Sequence, residues 1–266
     1  MGKFDGILIC SDFDGTLFNG TVIPDGSVSA IRYFQENGGL FTIASGRHPA
    51  FLGRYKHRVV PNTYIVGLNG TLISNCEGTD VLHRGFVHSD SSEIIIRIIS
   101  EVDGLKALDF STTSIPPIIK ENCEAPDGEG YFRFNPKTHS QELLEAALEC
   151  EIYRVIFHTV EPADARVTEL MQRIAGDSYA VSRSSPCGVE LQDAAFTKGK
   201  SARYLADHLG MDKLICVGDN ENDASMLLEA DIGCAVANAI PELKRIADRI
   251  LPHVDHSPFA ELISSL

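Results

Sequence analysis

Short apolar runs bounded by turn residues recur towards both ends of the chain and predict buried β-strands. They cover residues 7–10, 40–44, 64–67, 214–217 and 232–237. Between them, apolar side chains recur at helical spacing, as at Val28, Ile31 and Phe34, and Gly38 ends that helix. Further helices are predicted over 48–57, 197–209 and 224–230, with another beginning at Pro241. Strands buried on both faces that alternate with helices predict a doubly wound, Rossmann-like α/β sheet.

The pattern changes in the middle of the chain, where β-type runs and amphipathic stretches no longer alternate regularly. Strands are predicted over 105–110, 115–119, 152–158, 179–182 and 189–192, and helices over 89–100, 141–150 and 163–175. Pro116, Pro117 and the Gly-containing loop 126–130 interrupt the pattern. Mixed strands and helices between two parallel-sheet halves predict an inserted α+β domain at 84–189, which leaves 1–83 and 190–266 to form the core.

Two carboxylates one residue apart follow the first predicted strand. Asp12 and Asp14 come just after the apolar run 7–10. Polar residues that follow a buried strand lie at the carboxyl edge of a parallel sheet, which is where open α/β sheets bind ligands. An Asp-x-Asp after a strand is also typical of a plain turn or a helix cap. The pair alone therefore does not distinguish a ligand site from a turn, and the residues after the later strands have to decide between the two.

Polar turns also follow the later predicted strands. Ser45 and Gly46 come after the second strand, where a hydroxyl and backbone amides either bind an anion or cap the next helix. Asn69 lies in an Asn-Gly pair, the strongest signal for a short turn. Lys198 begins a helix, and residues 218–223, Gly-Asp-Asn-Glu-Asn-Asp, follow the next strand. Each feature has an ordinary structural explanation, but one sheet edge would bring them together.

Composition narrows the possible functions. The 266 residues carry a net charge of −14, which disfavours nonspecific nucleic-acid binding because that requires a basic surface. The seven cysteines are dispersed without a C-x-x-C pair, which favours reduced thiols in a cytoplasm over disulfides or zinc. No stretch approaches the roughly 18 apolar residues that span a bilayer, and no basic leader precedes the first strand. We therefore expect neither membrane insertion nor secretion.

The order of these motifs resembles the haloacid dehalogenase (HAD) superfamily. Residues 12–17, Asp-Phe-Asp-Gly-Thr-Leu, resemble its first motif, and the strand-end Ser45 its second. Lys198 and residues 218–223 follow in the order of the third and fourth motifs. The insertion after the third predicted strand resembles the subfamily with a C2-type α+β cap, specifically the Cof-like sugar-phosphatase group (C2B, subclass IIB). One departure is Ala-Val-Ala ahead of Asn238, where that group commonly has Met-Gly.

The resemblance implies phosphoryl transfer through an aspartate. In the family's pattern Asp12 is the nucleophile, while Asp14 protonates the leaving oxygen and then activates the hydrolytic water. Nucleophile and phosphate are both negative, so a cation has to bridge them, and Mg²⁺ suits a site made of oxygens. The implied direct metal ligands are the carboxylates of Asp12 and Asp219 and the backbone carbonyl of Asp14. Asp223 and Asn222 are implied as further ligands or as residues that hold the direct ligands in place.

The other motif residues are implied to bind the substrate, a small phosphorylated metabolite and by the resemblance a sugar phosphate. Lys198 would neutralise the phosphoryl oxygens and hold Asp12 in place. The implied phosphate and substrate contacts are Ser45, Gly46, Arg47, Asn69 and Asn222. The inserted domain would close over the substrate as a cap, where Lys120, Arg154, His158 and Arg183 either contact it or lie at the surface. We expect a monomer or a weak homo-oligomer.

Three other interpretations fit some of the same residues. A phosphomutase related to phosphomannomutase shares the aspartyl intermediate, but it needs a second phosphate site, and the cap segment shows no tight Arg/Lys cluster. A phosphoacceptor signalling domain also combines acidic residues, Ser or Thr, and Lys, but such domains carry no large insert. A dinucleotide-binding fold is disfavoured because no G-x-G-x-x-G follows the first strand.

Overall fold

The computed structural model of the chain describes residues 2–55, 57–124 and 130–266. Its strands are β1 (Ile7–Ser11), β2 (Leu40–Ile43), β3 (Ile65–Gly67), β4 (Leu72–Ser74), β5 (Val81–Arg84), β6 (Leu105–Thr112), β7 (Tyr131–Phe134), β8 (Ile152–Thr159), β9 (Tyr179–Ser185), β10 (Gly188–Asp193), β11 (Lys213–Gly218), β12 (Ile232–Val236) and β13 (Arg249–Leu251). Its helices are α1 (Asp25–Glu36), α2 (Pro49–Leu52), α3 (Ser91–Glu101), α4 (Pro117–Asn122), α5 (Gln141–Leu148), α6 (Ala165–Ala175), α7 (Lys198–His208), α8 (Ala224–Glu229), α9 (Pro241–Ile246) and α10 (Pro258–Ser264). The chain divides into two compact units: the first runs to Arg84 and resumes at Thr197, and the second covers Gly85–Phe196.

The first unit is built around a parallel sheet with the strand order β13-β12-β11-β1-β2. β1 is flanked on both sides, since Cys10 pairs with Cys216 of β11 and with Thr42 of β2. Leu8 and Ile9 of this strand are fully buried, as expected for a parallel strand covered on both faces. The predicted doubly wound α/β core is confirmed.

The strand order places a crevice beside β1. The chain passes from β1 to β2 on one side and later returns to β11, β12 and β13 on the other. In open α/β sheets, ligands bind at such a reversal, beyond the carboxyl ends of the strands. Asp12 follows β1 and Asp219 follows β11, so both carboxylates lie at this edge. A small antiparallel sheet, β3-β4-β5, adjoins β2 through a bridge between Ala44 and Val66.

The second unit contains an antiparallel sheet with the order β7-β6-β8-β10-β9. Alternate side chains of its strands join a hydrophobic cluster with α3, α5 and α6, and in β6 these include Leu108 and Phe110. Successive side chains of a strand point to opposite faces, so Asp109 lies on the other face of the sheet. Antiparallel strands combined with helices confirm the predicted α+β character of the insertion.

Three details of the predicted organisation need correction. The strand predicted over 115–119 is wrong, since α4 begins at Pro117. Proline is favoured at the first position of a helix, and Ile119 is buried from within this helix. β10 pairs with β8 and β9, so residues 190–196 belong to the second unit and not to the core. The helix predicted over 48–57 is shorter in the structure, where α2 ends at Leu52 and a 3₁₀ turn follows it.

Some elements have no counterpart in the predictions. These are β5, β7, β13 and α10, of which β5 and β13 span only 4 and 3 residues and so show no clear periodicity. Position 56 and the predicted loop 126–130, apart from Gly130, lie outside the described residues. None of the described helices is both long and apolar enough to cross a bilayer.

Gly199 at the start of α7 packs directly against α8. Its N–H donates to Ser225 Oγ at 3.1 Å, and a Cβ at this position would lie 2.0 Å from the Ser225 carbonyl oxygen. Gly199→Ala should therefore push the two helices apart and lower the free energy of unfolding by about 1–3 kcal/mol, measured by urea denaturation. Asp207→Ala, at an exposed position of the same helix, should change it by less than about 0.5 kcal/mol. A wild-type urea midpoint for Gly199→Ala would contradict this packing.

Candidate active site

Asp12 and Asp219 approach each other at the carboxyl ends of β1 and β11. The Asp12 N–H donates to the Val217 carbonyl at 2.9 Å, which extends the pairing of the two strands by one residue. Gly15 then turns the chain with a φ of +88°, and a Cβ there would lie 2.5 Å from Asp219 Oδ2. Only glycine combines that backbone conformation with such a close approach. The first motif can therefore fold tightly against the fourth.

Lys198 bridges two buried carboxylates. From the first turn of α7 its Nζ donates to Asp12 Oδ1 at 2.6 Å and to Asp223 Oδ1 at 2.7 Å. Only 1% of the Lys198 side chain and none of the Asp223 side chain is exposed. Burial alone would lower the pKa of Lys198, but Asp12 and Asp223 outweigh it and hold that pKa above its usual range. The ammonium group therefore stays charged.

Asp223 is fixed by backbone amides as well as by Lys198. Its Oδ2 accepts from the N–H groups of Asp219 and Asn220 at 2.9 and 3.0 Å, as a capping carboxylate does at the start of a helix. A Cβ at Gly218 would lie 2.5 Å from Asp223 Cβ. The fourth motif is thus a compact turn around one carboxylate.

The three carboxylates carry more negative charge than one lysine balances. Burial raises the pKa of Asp12 well above its usual range and Asp223 adds to the rise, while Lys198 offsets only part of it. Burial also raises the pKa of Asp219 to about 6, again with Asp223 as the second cause. One oxygen from each carboxylate lies within 4.8 Å of the others. Clustered carboxylate oxygens are the donors that hard divalent cations prefer, so these residues could hold one.

Asp14 is held by an arginine from the second motif. Arg47 donates from Nε and Nη2 to the two carboxylate oxygens of Asp14 at 2.6 and 2.9 Å. The Arg47 guanidinium also stacks on the Phe51 ring, with 4.3 Å between Cζ and the ring centroid. About half of the Asp14 side chain is exposed, in contrast to Asp12. The two carboxylates of the first motif therefore have different environments, one buried beside a lysine and one accessible beside an arginine.

Ser45, Gly46, Asn69 and Asn222 lie in the turns around this edge. Ser45 is buried, and its Oγ accepts from the Arg47 N–H at 3.2 Å while its carbonyl accepts from the Asn69 N–H. Asn69 has a positive φ of 53° and accepts from Asn222 Nδ2 at 3.2 Å. The second and fourth motifs are thus linked through the turn after β3. Gly46 lies between Ser45 and Arg47 in the same turn.

Two further residues, Thr16 and Asn238, support the site through partners that the motif pattern does not reveal, although the family resemblance already suggested Asn238 as a residue that orders the loops or contacts the substrate. The buried Thr16 hydroxyl donates to Asp219 Oδ1 at 2.8 Å, so it orients that carboxylate. Asn238 donates to the Gly15 carbonyl at 2.7 Å and accepts from the Val254 N–H at 2.9 Å. It therefore holds the first-motif loop against the C-terminal part of the sheet. Thr16 and Asp219 are 203 positions apart and Asn238 and Gly15 are 223 positions apart, so these contacts depend on the folded chain and not on a local sequence pattern.

Two basic residues predicted as possible cap contacts have partners inside the second unit. Arg154 is buried and donates to Glu190 Oε2 at 2.7 Å, and His158 Nε2 lies 2.6 Å from Asp109 Oδ2. Lys120 lies in the last turn of α4, and Arg183 is an exposed residue of β9. Arg154 therefore belongs to an internal ion pair of the sheet.

Comparison with known proteins identifies similar sequences along nearly the whole chain. The sequence model of a family described as haloacid dehalogenase-like hydrolase matches residues 9–263. The putative phosphatase YxeH of Bacillus subtilis (strain 168) is 26% identical over 247 residues, which is 91% of each chain. The 5-amino-6-(5-phospho-D-ribitylamino)uracil phosphatase YcsE of the same organism is 24% identical over 246 residues, or 91% of this chain and 88% of YcsE.

Solved structures share the fold. The HAD subclass IIB sugar phosphatase BT4131 superposes with a TM-score of 0.76 at 18% identity, covering 97% of this chain and 98% of its own. BT1666 from Bacteroides thetaiotaomicron gives a TM-score of 0.76 at 19% identity, covering 98% of this chain and 95% of its own. At these identities the likeness supports the architecture of a parallel-sheet core with an inserted domain.

Proposed function

Because the chain belongs to the haloacid dehalogenase-like hydrolase family, we propose that it is a Mg²⁺-dependent phosphatase of small phosphorylated metabolites, sugar phosphates in particular. The observation that supports this most directly is the buried Asp12 carboxylate, which is bonded to Lys198 and faces Asp219 and Asp223 at one sheet edge. The relatives YxeH and YcsE, both named phosphatases, agree with the proposal.

In the first half of the proposed reaction, a carboxylate oxygen of Asp12 attacks the phosphorus. An aspartyl-phosphate bond forms as the ester P–O bond breaks, and Asp14 donates a proton to the departing alcohol. Lys198 holds Asp12 and neutralises charge on the phosphoryl oxygens, while Ser45 and Gly46 bind the same group. The exposure of Asp14 suits a residue that meets the leaving group.

In the second half, Asp14 takes a proton from water, which attacks the phosphorus of the aspartyl-phosphate. The bond between Asp12 and phosphorus breaks, inorganic phosphate leaves, and both aspartates return to their starting states. Arg47, which donates to both Asp14 oxygens in the structure, orients the carboxylate that accepts this proton. Arg47 thus orients Asp14 and also contacts the substrate phosphate. Asn69 and Asn222 contact the substrate as well.

The acidic cluster fits a resident Mg²⁺ ion. Asp12, Asp219, Asp223 and the backbone carbonyl of Asp14 would hold it, since all four groups offer the oxygen donors that Mg²⁺ prefers. When bound, the ion offsets the repulsion between Asp12 and a phosphate dianion, which amounts to several kcal/mol at intermediate dielectric. Thr16 orients the Asp219 ligand through its hydroxyl.

We also propose a cytoplasmic protein that acts as a monomer or weak homo-oligomer and binds no nucleic acid. All seven cysteines are free thiols, which suits a reducing compartment. The net charge of −14 opposes binding to a polyanion. The proposed binding partner is the small phosphorylated substrate.

Phosphate release from p-nitrophenyl phosphate and a panel of hexose, pentose and cofactor phosphates tests the proposed activity. With Mg²⁺ we expect turnover of at least one compound, its loss in EDTA and its recovery when excess Mg²⁺ is added. Undiminished turnover in EDTA would contradict the metal dependence, and no turnover of any compound would contradict the phosphatase. A requirement for a sugar bisphosphate activator would instead indicate the phosphomutase.

A further inference from the structure

The second unit contains a buried carboxylate with three side-chain partners. Asp109 lies in β6, between the two neighbouring strands β7 and β8, and its side chain is only 2% exposed. Arg133 donates to it from Nε and Nη2, each at 2.7 Å, and His158 Nε2 lies 2.6 Å away. Tyr131 donates its hydroxyl to the same carboxylate. Asp109 is therefore ionised and fully hydrogen-bonded inside the sheet.

The shared carboxylate fixes Arg133 and His158 next to each other. Burial alone would raise the pKa of Asp109, but the hydrogen bonds from Arg133, His158 and Tyr131 hold it below the usual range. Arg133 uses one edge of its guanidinium for Asp109, and His158 uses one ring nitrogen. The other edge of Arg133 and the Nδ1 side of His158 stay outside this network. Both side chains are partly exposed, so a ligand could reach them.

A cavity of about 590 Å³ lies against these two side chains and is lined by residues of the second unit. Its titratable lining groups are Lys106, Glu124, Arg133, His139, His158 and Cys187. The pairing of β6 with β8 is irregular between Leu105 and Ala107, a feature that can redirect a side chain, and Lys106 lies at that point. Among the described residues Lys106 forms no ion pair, so its charge is available to a ligand.

We propose that this cavity binds an oxyanion, the carboxylate or phosphate group of a small molecule, between the cationic donors Arg133 and Lys106 and beside the His158 ring. The volume lies within the range of small-molecule sites. Arg133 is held rigidly by Asp109, so its outer edge is oriented before a ligand arrives. The lining offers two cationic donors, Lys106 and the outer edge of Arg133, beside one acidic residue, Glu124, and Asn135 and Thr138 add neutral donors for hydroxyl groups.

A binding experiment on the full chain tests the site directly. The protein is labelled with ¹³C in its histidine rings and titrated with inorganic phosphate in EDTA, a condition that leaves the acidic cluster of the first unit without a cation. We expect a saturable shift of the His158 signal, identified by its absence from His158→Gln. Arg133→Gln should weaken phosphate binding at least about tenfold, because a charge-assisted hydrogen bond is lost.

Two further variants make the result decisive. Arg166→Gln, at an exposed position of α6 in the same unit, should bind phosphate like the wild type. Lys106→Gln changes an exposed residue and should also weaken binding, which covers the case that Arg133→Gln does not fold. A His158 signal that does not move, or Lys106→Gln and Arg133→Gln variants that bind like the wild type, would overturn the proposal.

The oxyanion could be a second anionic group of the substrate or a separate small anion, and turnover distinguishes them. This turnover experiment rests on the proposed phosphatase function. If the substrate supplies it, Arg133→Gln should raise KM for fructose 1,6-bisphosphate or 3-phosphoglycerate and leave KM for p-nitrophenyl phosphate unchanged. If a separate anion supplies it, neither KM should change although phosphate binding is lost. Absence of any wild-type turnover would contradict the phosphatase and leave the binding result valid.

Discussion

Asp12→Asn should lower kcat for phosphate release by at least about 10⁴-fold while the protein stays folded. The substitution removes the proposed nucleophile, and losses of this size are typical when a covalent nucleophile is replaced. A 10⁴-fold loss corresponds to about 5 kcal/mol of transition-state stabilisation. The asparagine oxygen can still accept from Lys198, so the hydrogen bond across the site is retained. Initial rates with the best substrate of the panel and a thermal melt of the same sample measure both effects.

The matched control for Asp12→Asn is an exposed aspartate of the same unit, Asp207→Asn. It should keep wild-type kcat and melting temperature. Mass spectrometry of wild-type protein quenched in acid during turnover should also detect a phosphoryl group on the peptide that contains Asp12. Wild-type-like turnover by Asp12→Asn would exclude the aspartyl-phosphate, whereas a large fall in melting temperature would assign Asp12 a structural role instead.

Lys198→Met should reduce both stability and activity. Without the ammonium group, Asp12 and Asp223 remain as buried carboxylates that repel each other, and breaking a buried ion pair typically lowers the free energy of unfolding by about 3–5 kcal/mol. The loss of a cation that faces the phosphoryl oxygens should lower kcat by about 10²–10³-fold. Urea denaturation in EDTA measures the first effect, and initial rates with Mg²⁺ at a temperature where the variant is folded measure the second.

Lys200→Met is the control on the same helix, because that lysine is exposed. Its urea midpoint and kcat should stay close to those of the wild type. Adding Mg²⁺ should return part of the stability lost in Lys198→Met, because a bound cation would then separate the two carboxylates. If Lys198→Met unfolds at the wild-type urea concentration, the ion pairs contribute nothing to the fold, contrary to their burial.

The sheet edge was predictable because its residues follow strands that the hydrophobic pattern marks clearly. Asp12, Ser45 and Asp219 each follow an apolar run, and parallel strands bring their carboxyl ends to one edge. The pairing of Lys198 with Asp12 was implied by the order of the family motifs, and in the structure the two side chains are 2.6 Å apart. Their roles in catalysis stay predictions until the variants are measured.

Contacts set by turns and side-chain reach could not be derived from the sequence pattern. Nothing in the pattern indicates that Arg47 pairs with Asp14, since the two are 33 positions apart and their contact depends on the path of two loops. The strand predicted over 115–119 is wrong because two isoleucines after prolines fit a buried strand and a helix start equally well. Arg133 and His158 meet only through the pairing of β6 with β7 and β8, which leaves no local trace in the sequence.

The central position of β1 has a consequence for how the protein is made. β1 leaves the ribosome well before one of its two neighbours, β11, which is synthesised roughly 10–40 s later at ordinary elongation rates. The second unit, encoded by one continuous segment, is complete before β11 exists. Until then one side of the apolar strand β1 has no partner and is open to unwanted association. Nascent chains of this protein should therefore depend on chaperones over that interval more than their finished stability suggests.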